Sequence, residues 1–216
     1  PVNNSTFVIA YVDTNLSTVA FRIMNTNGSV IVNTTTVDAS ADNVSRVDVA
    51  MINSTHFVVS WVDGPSQNLV QQLFQTNGTN TTSPTIIGAG IGVNTDVKLA
   101  SIVNRYVTCY ANDATNDAAF RTFFNNGSQD IGELSVDANM GPGSTLQNLV
   151  GCTGVTSTNW TYMWFDDNSN DITFTTVNST GALQSGQVDL DTAVGEFAQV
   201  AMTTLSNDTF GMIYYD

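Results

Sequence analysis

Apolar residues recur along this chain in short runs of seven residues that are hydrophobic on both faces. Each run begins with an aromatic residue, carries Tyr or Trp at its fifth position and ends with Asp or Asn. A strand that is apolar on both faces is typical of a sheet packed above and below. Successive runs start 50, 49, 54 and 50 residues apart, which predicts tandem repeats that bury their faces against one another. The five runs are Phe7–Asp13, Phe57–Asp63, Tyr106–Asn112, Trp160–Asp166 and Phe210–Asp216.

Three further strands are predicted in each repeat, and we name the four strands A to D in chain order, the recurring run being strand B. A glycine lies 21 residues after the start of each of the first four runs, and Asn precedes it in three of them. Asn-Gly between strand-like runs predicts a hairpin, because both residues tolerate positive φ. The glycines, which separate strand C from strand D, are Gly28, Gly78, Gly127 and Gly181.

The predicted strands follow these signals along the chain. Strand C covers Val19–Met24, Leu69–Phe74, Ala118–Phe123 and Ile172–Val177. Strand D covers Ser29–Val32, Pro84–Ile87, Ile131–Val136 and Gln184–Leu190. Strand A covers Val47–Ile52, Val97–Val103, Leu146–Cys152 and Ala198–Thr203.

Four short antiparallel strands per repeat, with no room for a helix, predict an all-β β-propeller. We expect one repeat domain over residues 1–216, with repeats at about 1–44, 45–94, 95–144, 145–196 and 197–216. The first repeat would hold strands B, C and D and the last strands A and B, so one strand B exceeds what four closed blades need. Either the last strand A completes the first blade, or the chain is a window of a longer array.

The charge balance excludes several classes of partner. Five Lys and Arg residues stand against 19 Asp and Glu residues, for a net charge of −14. Such a surface repels phosphate backbones and anionic lipid, so neither nucleic-acid binding nor docking on a membrane is expected. The sequence also contains no apolar stretch of membrane-spanning length, so direct membrane insertion is not expected.

Asn, Ser and Thr supply the polarity, and they form an excess of glycosylation sequons. Thirteen Asn-x-Ser/Thr motifs occur, whereas composition alone predicts about five. The excess favours a secreted or cell-surface glycoprotein with covalent N-glycans over an Asn-rich protein without them. The candidate acceptors are Asn3, Asn4, Asn15, Asn27, Asn33, Asn43, Asn53, Asn77, Asn80, Asn126, Asn159, Asn178 and Asn207.

Two cysteines, Cys109 and Cys152, are either buried thiols or one disulfide between neighbouring repeats, and an extracellular location favours the disulfide. The acidic loop after the fourth run places oxygens at alternate positions, Asp166, Asn168 and Asn170, which is a pattern that calcium prefers. The alternative is that Asp and Asn build the turn through their own side chains. No other cofactor is expected.

No catalytic constellation is recognisable. The one histidine, His56, lies at a predicted turn, and the two glutamates do not pair in the sequence as glycosidase carboxylates would. Phosphate-binding and nucleophile-elbow motifs are absent from the sequence as well. An enzyme is therefore not expected.

The pattern of an aromatic residue, Tyr or Trp four residues later and a closing Asp or Asn, followed by the Asn-Gly hairpin, resembles the repeats of secreted propeller-like proteins of microbial surfaces. The resemblance concerns architecture and transfers no functional residue. We expect a structural subunit of an extracellular filament, sheath or surface layer that binds copies of itself through the surplus strand. The alternative is a lectin-like or protein-binding propeller. The residues of the assembly strand would be Phe210, Met212, Tyr214 and Asp216.

Overall fold

The computed structural model describes residues 5–42, 45–92, 95–138, 150–192, 200–206 and 208–214. Over these ranges the chain forms 17 strands in five separate antiparallel sheets, and no helix. The prediction of an all-β fold built from four-stranded repeats is confirmed. We call the sheets blades 1 to 5 in chain order.

Blade 1 has three strands, blades 2 to 4 have four each, and blade 5 has two. Blade 1 contains β1 (Thr6–Asp13), β2 (Thr18–Asn25) and β3 (Val30–Asp38). Blade 2 contains β4 (Arg46–Met51), β5 (His56–Asp63), β6 (Asn68–Gln75) and β7 (Thr85–Gly88). Blade 3 contains β8 (Val97–Ile102), β9 (Arg105–Asn112), β10 (Asp117–Phe124) and β11 (Gln129–Asp137). Blade 4 contains β12 (Val150–Gly154), β13 (Asn159–Asp166), β14 (Asp171–Asn178) and β15 (Val188–Asp191), and blade 5 contains β16 (Val200–Ser206) and β17 (Thr209–Tyr214).

The turn between strands C and D lies where the Asn-Gly signal predicts it, but its geometry differs from the prediction. Only the glycine is left-handed, with φ of +87° at Gly28, whereas Asn27 is not. Gly28 N–H donates to the Asn25 carbonyl, and Asn25 N–H donates to the Ser29 carbonyl. This is a three-residue loop that ends in a left-handed glycine. The Asn contributes its side chain instead, since Asn27 Oδ1 accepts the Ser29 N–H at 3.0 Å.

The loops between strands B and C contain a backbone feature that the sequence does not predict. The last residue of each loop adopts a left-handed backbone although none of the four is glycine. Asn tolerates this region better than other residues do, whereas Ser and Gln have no such preference. The four residues are Ser17, Gln67, Asn116 and Asn170, with φ between 53° and 59°.

Replacing Gln67 by glycine should therefore stabilise the protein. The side chain is exposed and φ is +57°, so glycine removes the steric strain of a left-handed residue that carries a Cβ. Glycine also makes the unfolded chain more flexible, which offsets part of this gain. We expect the free energy of unfolding to rise by up to about 1 kcal/mol. Urea unfolding measures it. Ser66→Gly is the matched control, because the neighbouring exposed residue is not left-handed and its replacement should only destabilise; equal effects of the two variants would contradict the explanation.

The core is divided among the interfaces between neighbouring blades. Side chains alternate along each strand, so every middle blade packs one face against the preceding blade and the other against the next. Between blades 1 and 2, Phe21 meets Phe57 edge-on with ring centroids 5.1 Å apart, and Phe57 stacks on Phe74 at 5.4 Å. Strands B of blades 2 to 4 are buried almost throughout, whereas β1 and β17 are half-buried. A blade thus depends on both of its neighbours.

Blade 5 corrects two expectations about the surplus strand. β17 is not unpaired, because it pairs along its length with β16. Phe210, Met212 and Tyr214 pack against blade 4, and the Phe210 ring lies 6.0 Å from that of Phe174; Asp216 lies outside the described residues. Closure of the ring by the last strand A is also wrong for the described strands, since β16 bonds to β17 and β1 bonds to β2.

A ring-to-carboxylate hydrogen bond joins neighbouring blades at three interfaces, and it gives a structural role to the Tyr or Trp at the fifth position of three of the five runs. The ring of strand B donates to an aspartate at the end of strand D in the preceding blade. The bonds are Trp61 Nε1 to Asp38 Oδ2 at 2.8 Å, Trp164 Nε1 to Asp137 Oδ2 at 3.1 Å, and Tyr214 Oη to Asp191 Oδ2 at 3.1 Å. Both tryptophans lie in the buried core, where an N–H without an acceptor would be destabilising.

Asp137→Ala should lower the free energy of unfolding by about 1–3 kcal/mol, because it leaves the Trp164 N–H without this acceptor. Asp137→Asn keeps an acceptor oxygen and should recover at least half of the loss. Urea unfolding of both variants tests this. In a Trp164→Phe background the alanine substitution should have a much smaller effect, and an undiminished effect there would mean that Asp137 acts through other contacts.

Candidate functional site

A cluster of three polar groups in blade 3 forms the best candidate site. Arg121 Nη2 lies 2.9 Å from Glu133 Oε2, and Arg121 Nε donates to the Tyr110 hydroxyl at 3.0 Å. The Tyr110 hydroxyl donates in turn to Glu133 Oε2. Strands B, C and D of the blade supply one residue each. The side chains of Arg121 and Glu133 are 19% and 33% exposed, so the pair is held in place yet accessible to a ligand.

The cluster lies on the face of blade 3 that packs against blade 2. Arg121 lies between Ala119 and Phe123 on one face of β10, and both neighbours belong to the core shared with blade 2. Tyr110 belongs to the same core. On the same face, the Tyr106 hydroxyl donates across the interface to Gln71 Oε1 of blade 2 at 3.1 Å. Both blades therefore hold this interface in place, while the Arg121–Glu133 pair is partly exposed.

Charge and burial both act on the cluster. Burial raises the pKa of Tyr110, and its hydrogen bond to Glu133 raises it further, so the hydroxyl stays protonated and can donate. Burial lowers the pKa of Arg121, but the oxygens of Tyr110 and Glu133 outweigh it, and the pKa lies above its ordinary value. The site thus presents a permanent cation, a carboxylate and a phenol that remains neutral.

The equivalent positions in the other repeats differ in chemistry. In blade 1, Arg22 Nε donates to Thr34 Oγ1 at 2.7 Å, and the Tyr11 hydroxyl lies 3.2 Å from the same oxygen, so threonine stands in place of the glutamate. Blade 2 has Gln72 and Pro84 at the Arg and Glu positions, and blade 4 has Thr175 and Gln187. Among the described residues, the full Tyr–Arg–Glu combination occurs in blade 3 alone.

Two pockets lie away from this cluster, one between blades and one along the strands A of successive blades. A pocket of about 420 Å³ between blades 1 and 2 is lined by Trp61, Val70, Pro84 and Ile86 together with Asp63. A pocket of about 460 Å³ runs across the strands A of blades 2 to 5, which are β4, β8, β12 and β16. Neither pocket contains an ion pair or a cluster comparable to that in blade 3 among its lining residues.

The sequons lie mainly at the turns that join strand C to D and strand A to B. Seven of the described acceptors are exposed, and two, Asn159 and Asn178, are half-buried. The motif also builds the turn: Asn53 Oδ1 accepts the Thr55 N–H and hydroxyl, and Asn126 Oδ1 accepts both from Ser128. Glycosylation stays a prediction. The acceptors Asn3, Asn4, Asn43 and Asn207 lie outside the described residues, and the exposed ones are Asn15, Asn27, Asn33, Asn53, Asn77, Asn80 and Asn126.

The cysteines meet across the interface of blades 3 and 4. Cys109 Sγ of β9 lies 2.6 Å from Cys152 Sγ of β12, and both side chains are buried. Burial raises the pKa of the Cys109 thiol well above its ordinary value. The structure thus brings the pair together as a link between blades would require, and the disulfide itself stays a prediction.

The calcium prediction falls on a loop that is held by its own hydrogen bonds. Asp166 Oδ1 accepts the Asn168 N–H at 2.9 Å, and Asn170 is the left-handed residue of the loop. In the ranges that the structure covers, no three His, Cys, Asp or Glu side chains converge as metal ligands would. Calcium at Asp166, Asn168 and Asn170 remains untested. His56 Nδ1 bonds to Thr55 Oγ1 at 2.8 Å within its turn.

Asp48 is an ionisable group on β4, the strand A of blade 2. Its Oδ2 accepts the Leu99 N–H of blade 3 at 2.7 Å. Burial raises its pKa from 3.8 to about 6, although Lys98 and the Leu99 N–H oppose the shift. Because the folded protein holds this proton more tightly than the unfolded chain, the stabilisation is complete below pH 3.8 and is lost as the pH rises through about 6.

Asp48→Asn should therefore stabilise the protein at pH 7.5, where the wild-type carboxylate is charged, and the difference should vanish towards pH 4. The upper limit is about 3 kcal/mol, from a shift of about two pKa units. Thermal and urea unfolding across pH 4 to 8 would measure it. Asp167→Asn removes one charge from the loop after β13 and controls for net charge; an identical pH profile in that variant would contradict the assignment to Asp48.

Sequence reasoning missed the site in blade 3. It treated Glu133 as an unpaired carboxylate, because the partner lies on another strand. A signal was present: Arg22 and Arg121 occupy the same position in their repeats, and Glu133 follows Arg121 by 12 residues, as Thr34 follows Arg22. Only the pairing of strands B, C and D shows that these positions share one face of the blade.

Comparison with known proteins identifies the class of fold. No protein-family model matches the sequence, and neither does any curated protein. Among solved structures, an arginine-to-alanine triple mutant of AofleA from Arthrobotrys oligospora matches with a TM-score of 0.61 and 13% identity, over 97% of this chain and 61% of that one. The fucose-specific lectin from Aleuria aurantia matches with a TM-score of 0.62 and 10% identity, over 91% of this chain and 62% of that one.

The chain is thus a β-propeller-type protein that spans about three fifths of the length of each of these two proteins. A prolyl endopeptidase also matches, but its TM-score of 0.46 over 27% of that chain is too low to carry an argument. The described part of the chain contains no helix that is long and apolar enough to span a membrane.

Proposed function

We propose that this chain is a carbohydrate-binding, lectin-like propeller that binds a monosaccharide unit at the Arg121–Glu133–Tyr110 cluster. The observation that carries the proposal is the placement of a guanidinium, a carboxylate and a phenol in one hydrogen-bonded, partly exposed cluster beside the interface of blades 2 and 3. The likeness of fold to a fucose-specific lectin supports it. Fucose is accordingly the first ligand to test.

The chemistry of the cluster suits a sugar. Each hydroxyl of a sugar both donates and accepts hydrogen bonds, so a site needs strong donors and strong acceptors side by side. The guanidinium of Arg121 offers a rigid fork of N–H groups, and the carboxylate of Glu133 can accept from two neighbouring hydroxyls. Hydrogen bonds with charged groups are stronger than those between neutral ones. Preorganisation by Tyr110 lowers the entropy that binding costs.

The filament hypothesis takes second place. The comparisons offer it no support, and three of the residues that it named for assembly pack within the chain against blade 4. What still favours it is the exposed apolar edge of blade 5, where Leu205 and Ile213 are 66% and 69% exposed. A secreted or cell-surface location with N-glycans agrees with either function and remains a proposal.

Arg121→Gln should weaken binding of fucose by about ten-fold or more, because a hydrogen bond with a charged group contributes roughly 1.5–3 kcal/mol. Isothermal titration calorimetry with L-fucose and with a panel of other monosaccharides measures it on the full chain. The matched control is Arg105→Gln, which removes an equally ion-paired arginine from the opposite face of blade 3, where it bonds to Asp130 at 2.6 Å.

The control variant should bind as the wild type does. Equal losses of affinity in both variants would show that net charge or stability, and not the Arg121–Glu133–Tyr110 cluster, determines binding. If the wild type binds none of the sugars while unfolding cooperatively, the proposal fails.

A further inference from the structure

The position that carries the interblade aspartate in blades 1, 3 and 4 is glycine in blade 2. In each blade one residue of strand D pairs with the first buried residue of strand C. The pairs are Asp38 with Val19, Gly88 with Leu69, Asp137 with Ala118 and Asp191 with Ile172. Gly88 is therefore the structural equivalent of the three aspartates, and the interface of blades 2 and 3 lacks the carboxylate that the other described interfaces use.

The ring at the equivalent place in the next blade is Tyr110, which shares a core with Leu69, the strand partner of Gly88. Its hydroxyl bonds elsewhere. At the interface of blades 4 and 5 the equivalent tyrosine, Tyr214, donates to Asp191 of the preceding blade. Tyr110 instead donates within its own blade to Glu133 and accepts from Arg121. A phenol has a single hydrogen to donate, so the bond to Glu133 and a bond to an aspartate of the preceding blade exclude each other.

We propose that Gly88 is a positioning residue: by withholding a carboxylate from Tyr110, it leaves the hydroxyl free to hold Glu133 and Arg121 in the geometry of the binding site. The identity of the ligand rests on the proposed function above, whereas the exchange of hydrogen-bond partners does not. The inference also explains why the site occurs at this interface. Where the aspartate is present, the ring of strand B serves as a link between blades.

A side chain at Gly88 is sterically possible. The backbone there is not left-handed, and a Cβ would lie 3.1 Å from Ile91 Cγ2 and 3.4 Å from Leu69 Cβ, so the neighbours must shift by a few tenths of an ångström. The position is buried, and in the three other blades a carboxylate there reaches the ring of the next blade. Gly88→Asp should therefore reach the Tyr110 hydroxyl.

The test combines binding with a double-mutant cycle. Gly88→Asp should weaken fucose binding at least ten-fold, while Gly88→Ala, which crowds the same space without an acceptor, should change it by less than three-fold. In a Tyr110→Phe background, Gly88→Asp should cause a loss at least three-fold smaller than in the wild type, because there is no hydroxyl to capture. An equal loss in both backgrounds, or a loss in Gly88→Ala as large as in Gly88→Asp, would overturn the proposal.

Stability provides a readout that needs no sugar. In Gly88→Asp the Tyr110 hydroxyl exchanges Glu133 for the new aspartate, and Glu133, whose side chain is 33% exposed, keeps Arg121 and is hydrated. With Phe at position 110 the buried aspartate has no hydroxyl to accept from. Gly88→Asp should therefore be about five-fold less disruptive to the unfolding equilibrium with Tyr110 than with Phe at that position. If the wild type binds no sugar, the proposed function fails while this coupling still decides the role of Gly88; absence of coupling overturns it. Should Gly88→Asp fail to fold, the same cycle is run with Gly88→Asn, whose amide oxygen also accepts from a hydroxyl.

Discussion

The hydrogen bond between a ring of one blade and an aspartate of the preceding blade links neighbouring blades at three of the four interfaces that the structure describes. A blade that is apolar on both faces is stable only between neighbours, and apolar packing alone does not fix how far one sheet slides on the next. A bond from Trp61 to Asp38, or from Trp164 to Asp137, has one length and one direction. It therefore fixes the register between blades as turns fix the register between strands. At these three interfaces the aromatic fifth position and the aspartate therefore act as a pair.

The same constraint determines where a ligand site can form. At the interface of blades 4 and 5 the tyrosine hydroxyl is engaged by the aspartate of the preceding blade, and at two other interfaces the ring is a tryptophan, which has no hydroxyl. At the interface of blades 2 and 3 glycine stands at the aspartate position, and the Tyr110 hydroxyl becomes the centre of an arginine–glutamate pair. The proposed binding site thus lies at the interface where the structural bond is missing. At this interface the bond from the Tyr106 hydroxyl to Gln71 links blades 2 and 3 instead.

Sequence alone predicts most of the strands, because their signals are local. A run that is apolar on both faces and a glycine at a fixed offset each follow from the chemistry of a few adjacent residues, and strands B and C begin and end within a residue or two of prediction. The left-handed backbone at Gln67 gives no such signal, since its side chain has no preference for it. The Arg121–Glu133 pair also escapes prediction, because residues 12 positions apart become neighbours only through the pairing of β10 with β11.

The composition, too, has a physical origin in the turns. Asn in the C–D turn accepts the N–H and the hydroxyl of the residue two positions on, although its place in the turn varies. Asn27, directly before the turn glycine, accepts from Ser29, and Asn178, three residues before its glycine, accepts from Thr180. A hydroxyl at that place completes a sequon, so the turn itself enriches the motif and an excess over chance is not by itself evidence of secretion. The acceptor atom in these bonds is Oδ1, while a glycan is attached to the amide nitrogen. The turn and the modification are therefore compatible, and a glycan at Asn27 would extend from a loop that is already ordered.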